Sequence, residues 1–382
     1  MLSEDLSKTS GGTIHFMAVA RGLQKLGHSV RILGPRYHLR MRKPEDVKGY
    51  YIPVLGRNAF SFLLFQLLAA FVFPFIYVLF RPDVILIRGG MGISFLIHIT
   101  ARFCRVKVVL EINGIPWLEL IGRGFSKWLA KINKLITAIE CITANRIIAV
   151  TSSIGEEVVH LSGISPQYVT AIRNGADPNE FTRDNRLSKR LEMSIQPDEL
   201  VVGFIGSFSF WHGSKEIIES ALYLRPEIRQ KVVYLMVGYG EGWQDVKQTV
   251  AEKGLEDIIR LPGQASRAQV SDYLSVFDVG ILLNAGWKEA KIGSSSLKFW
   301  EYLAAGLPVI ISDNISLTPI VRGENMGIVL EESSPKNIAR GIEEIFSRRD
   351  EFAEVGRRNR KLVSEKYSWL EVSKRVSEVL AG

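Results

Sequence analysis

Cysteine and paired metal ligands are scarce in this sequence of 382 residues. Its two cysteines, Cys104 and Cys141, are too few for a disulfide framework and lack the paired spacing of a zinc site. The chain holds no Asp-x-Asp pair, no short internal repeat and no low-complexity segment. No basic, apolar leader with a small-residue cleavage site opens it. We therefore expect a protein of a reducing, cytoplasmic compartment.

Acidic residues are scarce in the first half of the chain. Residues 1–190 hold 25 Lys and Arg against 13 Asp and Glu, a net charge of +12, whereas the remainder holds 23 against 27, or −4. A basic half predicts an anionic partner, such as a membrane surface, although a solvated basic face without a partner is the alternative. Zinc-finger spacing and an aromatic-studded RNA-binding signature are both missing, so we expect no nucleic acid. A nucleic-acid binder would show steeply salt-dependent duplex binding.

One long segment lacks charge altogether. Residues 59–80, AFSFLLFQLLAAFVFPFIYVLF, are long enough to cross a bilayer. Gln66, Pro74 and the strand-like PDVILIRGG that follows disfavour a spanning helix. We expect a helix packed on a sheet, with one apolar face inserted shallowly in an anionic membrane surface at the inner face of the cell membrane. A fully buried helix and a spanning helix are the alternatives. The cations that precede the segment are Arg36, Arg40, Arg42, Lys43, Lys48 and Arg57.

Length and pattern together predict the fold class. A chain of this length is too long for one ordinary core. Strand-like runs alternate with helical ones, which predicts an α/β fold with doubly wound parallel sheets. We expect two Rossmann-like domains, residues 1–182 and 183–363, facing each other across a cleft, and a helix at 364–382 that packs back on the first domain. The strand-like runs lie within residues 82–90, 105–116, 145–158 (strand into helix), 169–181 (short strand into a turn), 199–208, 231–240, 258–264, 277–284 and 308–312.

The opening of the first domain is unusual. GGTIHFMAVARGLQKLGHSVRIL (11–33) predicts a glycine-rich turn, a helix and a strand. A parallel sheet of this kind normally begins with a strand before such a turn, but only MLSEDLSKTS precedes Gly11. Either the sequence is truncated at its start or the sheet is one strand short.

The segment GSSSLKFWEYLAAGLPVIISD (293–313) carries the main chemical signal. Its serines favour an N-cap, Gly306 and Pro308 favour a helix end, and PVIIS predicts a buried strand. Lys298 and Glu301 are three apart, so they share a helix face, and Glu301 leans toward the positive end of the helix. A nucleoside diphosphate fits such a site, with phosphate at the helix start and a hydroxylated ring one turn along. A serine-capped core helix with a surface Lys–Glu pair is the alternative.

Six blocks in order carry a family resemblance. They are GGTIHFMAVARGLQKLGHSV, the pattern Asn174-Gly175-Asp177-Phe181, GSFSFWHGSKEIIESA, VGYGEG, LPGQ followed by DYLSVFDVGILL, and SSSLKFWEYLAAGLPVI. Over nearly its whole length the chain resembles retaining glycosyltransferases of the GT-B fold, in glycosyltransferase family four. The resemblance implies a nucleotide-sugar donor held mainly by the second domain. It also implies a saccharide or lipid-linked acceptor at the first, in glycan or polysaccharide biosynthesis.

The same resemblance implies roles for particular residues. Glu301 should bind the ribose hydroxyls, and the backbone N–H groups of Ser296 and Leu297 should hold the diphosphate. Gly11 and Gly12 should approach the diphosphate from the first domain, since glycine lets the backbone come close. The other expected donor contacts are Ser207, His212, Gln264 and Lys298. The expected catalytic residues are His15, Glu111, Asn113 and Lys298.

The chain departs from the family pattern in two places. Many members carry a second glutamate eight residues before the position of Glu301, where Gly293 stands here, so that contact is missing or is supplied by Glu289 or backbone. The position often held by an acceptor-side histidine falls in LEINGIP. His15 and His212 can also be read as ordinary packed or surface histidines.

The expected mechanism needs no metal and no other cofactor. Backbone N–H groups, a helix dipole and lysines can stabilise the departing diphosphate electrostatically. The resemblance implies retention through same-face attack by the acceptor hydroxyl. A nucleotide-sugar epimerase and a non-catalytic GT-B-like subunit that binds a nucleotide sugar are the alternatives.

Overall fold

The computed structural model describes residue 6 and residues 10–38, 44–90, 92–122, 124–209, 212–284, 295–313 and 316–382. These residues form two compact units. The first unit holds the described residues up to Asn174, Ser295 and Trp369–Gly382, and the second holds all the others. The division at Asn174 comes eight residues before the boundary expected from the polar linker.

Strands and helices alternate along most of the chain. The described part contains twelve strands: β1 (Ile32–Arg36), β2 (Gly49–Pro53), β3 (Val84–Arg88), β4 (Lys107–Ile112), β5 (Arg146–Ala149), β6 (Val169–Ala171), β7 (Leu200–Ile205), β8 (Val232–Val237), β9 (Ile259–Gly263), β10 (Val279–Leu282), β11 (Val309–Ser312) and β12 (Gly327–Leu330). It also contains sixteen α-helices: α1 (Gly11–Lys25), α2 (Ala59–Phe80), α3 (Phe95–Phe103), α4 (Pro116–Gly122), α5 (Lys127–Thr143), α6 (Ser152–Ser162), α7 (Arg186–Glu192), α8 (Ser214–Ser220), α9 (Pro226–Arg229), α10 (Trp243–Glu252), α11 (Arg267–Val276), α12 (Leu297–Ala304), α13 (Thr318–Gly323), α14 (Pro335–Ser347), α15 (Arg349–Leu362) and α16 (Trp369–Ala381). Short 3₁₀ turns occupy Pro166–Tyr168 and Ala221–Tyr223, and a π-helical turn occupies Val363–Tyr367.

The first unit is built on parallel strands. Strand β1 pairs with β2, and β3, β4, β5 and β6 pair in that order. Crossovers between neighbouring parallel strands are right-handed, so α3, α5 and α6 lie on one face of this sheet. Helix α2 packs against α3, and α3 packs against α5. The sequence patterns did not reveal β2, which is short and only half-buried.

Helix α1 begins earlier than expected. Gly11 and Gly12 are its first residues rather than a turn before it. Ser10 is the N-cap, and its hydroxyl accepts from the Thr13 amide at 3.2 Å. The question of an opening strand concerns residues 1–9, which lie outside the described residues apart from Leu6.

The carboxyl-terminal helix α16 belongs to the first unit and packs against α1. A Cβ atom at Gly22 would lie only 2.0 Å from Ser373 Oγ, so the two helices approach closely because residue 22 is glycine. At the start of α16, Trp369 meets the His15 ring edge-on, with centroids 5.4 Å apart. The expected return of the last helix to the first unit is confirmed.

The second unit has a six-stranded parallel sheet in the order β12-β11-β10-β7-β8-β9. Its first strand, β7, lies in the middle, so the direction of winding reverses between β7 and β10. In open α/β sheets, ligands bind at the carboxyl ends of the strands at such a reversal. Strand β12 at the sheet edge was not foreseen, because its run is short and only partly buried.

Helix α12 is held rigidly at the centre of the second unit. Phe299, Trp300, Tyr302 and Leu303 are fully buried. The Trp300 ring stacks on Tyr367 at 4.4 Å, and the Tyr302 hydroxyl accepts from the Ile205 amide at 2.9 Å. This burial explains why the sequence of the helix is apolar on most sides, as expected.

Candidate functional site

The carboxyl end of β7 brings backbone loops close together. Gly206 and Gly238 follow β7 and β8 with φ angles of 143° and 151°. A Cβ atom at Gly238 would lie 1.7 Å from the Gly206 carbonyl oxygen, so the two loops pack backbone against backbone. The exposed Ser207 follows, with its hydroxyl 3.2 Å from that of Ser209. His212 Nδ1 lies 2.6 Å from the Ser207 carbonyl and donates to it.

The amino end of α12 lies beside this loop. Ser296 is the N-cap residue, but its side chain makes no capping hydrogen bond, contrary to the serine cap expected. Its neighbour Ser295 instead accepts from the Asn174 amide within the first unit, at 2.8 Å. Because the Ser296 side chain does not bond them, the first N–H groups of α12, including that of Leu297, form a candidate anion site among the described residues.

Lys298 lies along the same loop. Its Nζ is 4.6 Å from the centre of the Phe204 ring, in a cation–π contact. A Cβ atom at Gly206 would come within 3.3 Å of this Nζ. The structure therefore places Lys298 beside the loop after β7, and their role in donor binding stays a prediction.

Glu301 has a partner that the sequence did not suggest. Its carboxylate is buried and forms an ion pair with the Arg267 guanidinium. Burial raises the pKa of Glu301, and Arg267 opposes that rise. The alternative of a surface pair between Lys298 and Glu301 therefore does not fit, because the Glu301 carboxylate is buried.

Arg267 is in turn fixed from two sides. Its guanidinium bonds Glu180 at 2.5 and 2.8 Å and lies 4.9 Å from the centre of the Phe181 ring. It is the first residue of α11, at the same sheet edge as the exposed Gln264 after β9. An arginine directly after an N-cap serine at the carboxyl end of a predicted strand is the signal that could have identified it.

The first unit gathers a second polar group. His15 Nε2 lies 2.6 Å from Glu111 Oε1, and His15 Nδ1 lies 2.6 Å from Asn174 Oδ1. The Asn113 amide donates to Glu111 Oε1 at 2.7 Å. Glu111, His15 and Asn174 are all buried, so His15 and Glu111 are packed as well as polar. The structure thus joins three expected residues, His15, Glu111 and Asn113, and adds Asn174 from the family pattern.

Charge is concentrated at this group. Burial alone would raise the pKa of Glu111, but His15, Arg88 and the Asn113 amide hold that pKa down to about 2. Both ring nitrogens of His15 face oxygens. Because the Asn174 amide nitrogen donates to the Ser295 carbonyl, its Oδ1 is left to accept from His15. This arrangement holds the imidazole ring between a carboxylate and an amide.

Arg88 connects the group to Gly12. A Cβ atom at Gly12 would lie 2.6 Å from Arg88 Nη1, so the glycine leaves room for the guanidinium. Arg88 stands beside Glu111 in the sheet register. The role of Gly11 and Gly12 toward a diphosphate stays a prediction.

Sequence reasoning also missed a buried acid near the same sheet edge. Glu140 of α5 accepts from the Gly90 amide at 2.9 Å and from the Ser94 hydroxyl. Its side chain is fully buried, and burial raises its pKa to about 7 against those two hydrogen bonds. Glu140 therefore ties α5 to the loop that follows β3.

Metal ligands do not cluster in the described ranges: no group of three or more His, Cys, Asp or Glu side chains that could hold an ion occurs there. Glu289 and Gly293, which one departure from the family pattern concerns, lie outside the described residues.

Comparison with known families decides the identity. A family model described as glycosyl transferases group 1 matches residues 186–362, and one described as glycosyltransferase family 4 matches residues 9–180. The chain belongs to the group 1, family 4 glycosyltransferases.

Relatives of this glycosyltransferase carry matching names. An uncharacterized glycosyltransferase of Methanocaldococcus jannaschii is 24% identical over 97% of this chain and 93% of its own length. A D-inositol 3-phosphate glycosyltransferase of Thermobispora bispora is 22% identical over 62% of this chain. That match spans 55% of the Thermobispora protein, about half its length.

Solved structures of similar proteins show the fold. The crystal structure of Anabaena HepE in complex with UDP and glucose has a TM-score of 0.75 at 16% identity, covering 100% of this chain and 98% of HepE. The structure of WaaG, a glycosyltransferase involved in lipopolysaccharide biosynthesis, has a TM-score of 0.74 at 14% identity, covering 98% and 97%. The predicted GT-B fold of this glycosyltransferase is confirmed.

Proposed function

We propose that this glycosyltransferase moves a hexosyl group from a nucleotide sugar to a saccharide or lipid-linked acceptor, with retention and without a metal, in glycan or polysaccharide biosynthesis. The observation that carries the proposal is the buried Glu301 one turn inside α12, whose amino end lies at the winding reversal of the second sheet. A buried carboxylate one turn from a helix start that its N-cap side chain does not bond matches a ribose hydroxyl pair next to a diphosphate.

The donor site is argued from charge and backbone geometry. The amino end of α12 and Lys298 present positive charge, and the loop at Gly206 and Ser207 lets the backbone come close to a ligand. Arg267 orients Glu301, so that its free lone pairs can accept from ribose. The complexes of HepE with UDP, and of HepE with UDP-glucose, support a uridine nucleotide sugar as the first ligand to test.

Chemistry would rest on electrostatic stabilisation. Negative charge grows on the diphosphate as the glycosidic bond breaks, and fixed N–H donors with Lys298 can hold it. An Asp-x-Asp pair, which could hold a metal ion, does not occur in the sequence. We assign His15, Glu111 and Asn113 to the acceptor side, where the imidazole ring and the carboxylate would orient an acceptor hydroxyl for same-face attack.

The acceptor class is argued from α2. Its exposed residues include Phe60, Phe71, Phe75 and Leu79, each more than 60% exposed. Such a surface on the first unit favours an acceptor carried by a membrane, and we place the protein at the inner face of the cell membrane. Helix α2 is long and apolar enough to span a bilayer by length and composition, with a third of its most apolar window buried.

Replacement of Glu301 tests the donor site. Glu301→Ala should weaken donor binding by roughly 2–3 kcal/mol, or about 30-fold to 150-fold, because two charge-assisted hydrogen bonds to ribose are lost. The fold should survive, since Arg267 keeps both bonds to Glu180. Titration calorimetry with UDP and with a set of nucleotide sugars measures the loss.

A matched control replaces another glutamate that is paired with arginine. Glu354 bonds Arg357 at 2.8 Å on an exposed part of α15, so Glu354→Ala should leave donor affinity unchanged. Equal affinities for the wild type and Glu301→Ala would refute the ribose assignment. Sugar turnover that proceeds with donor alone would indicate an epimerase, and donor binding without transfer to any acceptor would indicate a non-catalytic subunit.

A further inference from the structure

The helix layer of the first unit has an outer face that does not suit water. Every exposed residue of α2, nine in all, is apolar. Its two most polar side chains, Ser61 and Gln66, point inward and are 1% and 2% exposed. Ser61 bonds the Leu55 carbonyl, and Gln66 Oε1 accepts from the Ile93 amide at 2.6 Å. A helix on the surface of a soluble domain shows the opposite arrangement, with polar residues outward.

Helices α3 and α5 extend this face. They lie on the same side of the sheet as α2 and contact each other, so their side chains that point away from the sheet share one surface. Helix α3 exposes Ile99 and Phe103, the latter at 84%. Helix α5 exposes Trp128, Leu135 and Ile142, spaced seven residues apart and therefore in one stripe.

The charges on this surface have one sign. The exposed residues of α3 and α5 include Arg102, Lys127, Lys131 and Lys134, and none of the exposed residues of α2, α3 and α5 is acidic. The acid of α5, Glu140, is buried on its inner side. Apolar side chains mixed with cations and a tryptophan match the boundary between acyl chains and anionic headgroups.

We propose that the exposed side chains of α2, α3 and α5 form one docking face for an anionic lipid bilayer, in which α5 binds the membrane alongside α2. The proposal deepens the proposed function, because it identifies the surface that would bring a membrane-borne acceptor to the first unit. The three helices lie parallel to the membrane, with lysines of α5 at the phosphates and Phe71, Phe75 and Trp128 among the upper acyl chains.

A spanning α2 does not fit the topology. Phe65, Ala69 and Phe73 of α2 pack into the core of the first unit, and β3 begins at Val84, directly after the helix. Strands β2 and β3 on either side of α2 both belong to this unit, so both ends of the helix stay on one side of a bilayer. The buried Phe73 is thus a structural residue, and the membrane-facing phenylalanines are Phe60, Phe71 and Phe75.

Vesicle flotation tests the face. The purified chain is floated with vesicles of phosphatidylcholine alone, or containing about 30% phosphatidylglycerol, at about 50 mM and about 500 mM salt. We expect binding to the anionic vesicles that weakens at high salt. Phe71→Ser with Phe75→Ser, and separately Trp128→Ser with Leu135→Ser, should each weaken binding about tenfold or more. Lys127→Ala with Lys131→Ala should weaken it about fivefold per lysine.

Controls on the second unit match each change. Leu187 and Leu191 of α7 are each 81% exposed, so Leu187→Ser with Leu191→Ser removes similar apolar groups away from the face. Lys247→Ala with Lys253→Ala removes two exposed lysines, one in α10 and one directly after it. Both controls should float like the wild type. Circular dichroism of every variant shows that it is folded.

The outcomes separate this proposal from the proposed function. If the α2 variants lose binding but the α5 variants float like the wild type, the joint face is refuted. If vesicle binding depends neither on salt nor on the charge of the lipid, the role of the cations is refuted. A further outcome is that the wild type does not float, that light scattering shows it to be a dimer, and that the Trp128→Ser, Leu135→Ser variant loses the dimer. That result would show that a protein covers the face, and it would refute the lipid proposal. Calorimetry with UDP on the same samples tests the donor site separately, since none of these residues belongs to it.

Discussion

Glu140 makes the stability of the first unit depend on pH. Its carboxyl is fully buried in α5, where it accepts from the Gly90 amide at 2.9 Å and from the Ser94 hydroxyl. Burial raises its pKa from the ordinary 4.5 to about 7. The folded chain therefore binds this proton more tightly than the unfolded chain does. The stabilisation is complete below about pH 4.5 and is lost as the pH rises through about 7.

The size of the effect follows from the shift. Each pKa unit corresponds to about 1.4 kcal/mol, so the rise from 4.5 to about 7 corresponds to about 3 kcal/mol between pH 5 and pH 8. Glu140→Gln replaces the neutral acid with an uncharged side chain of the same shape, whose amide can still accept from Gly90. We expect it to equal the wild type near pH 5 and to be more stable by up to about 3 kcal/mol at pH 8.

Native-state hydrogen exchange of peptides from β3, β4 and β5 measures this within the first unit. The free energy of opening is followed at pH 5, 6, 7 and 8, with correction for the intrinsic exchange rate. Glu156→Gln, at an exposed position of α6, is the control for removing a solvated carboxylate. Parallel profiles for the wild type and Glu140→Gln across that range would show that this carboxyl is not desolvated, and the reasoning would fail.

Two further predictions concern metal independence and the packing of the last helix, α16. Sugar transfer should persist in excess chelator, because the proposed diphosphate contacts are protein groups; activity that chelation abolishes and manganese restores would contradict this. Gly22→Ala should lower the free energy of unfolding by about 1–3 kcal/mol, because its Cβ would meet Ser373 Oγ at 2.0 Å and separate α1 from α16. Gly323→Ala in α13, where a Cβ meets nothing within 4 Å, is the matched control for chemical denaturation; equal losses in both variants would refute the close packing of α1 on α16.

The sequence alone determined the fold class, the family and the position of helix α12. These rest on local signals: the alternation of apolar strands with helices, the glycines after β7 and β8, and the segment from Ser294 to Pro308. Local chain stiffness and hydrophobic periodicity act over a few residues, so a sequence reader can see them directly. The helix at residues 59–80 could be predicted for the same reason, because its uncharged run is a local feature.

Only the tertiary structure decided which side chains meet. Arg267 binds Glu301 from another helix 34 positions away, and Asn174 binds His15 across 159 positions. Nothing local to either residue encodes its partner, because the contact exists only after the sheet has ordered its strands. Periodicity in α2 likewise could not tell which apolar side faces the core, since both sides are apolar. In the folded unit, Phe65, Ala69 and Phe73 pack into the core, whereas Phe71 and Phe75 are exposed. Burial of Glu140 was decided in the same way, by the helices and the β3 loop that close around it, and burial is what shifts its pKa.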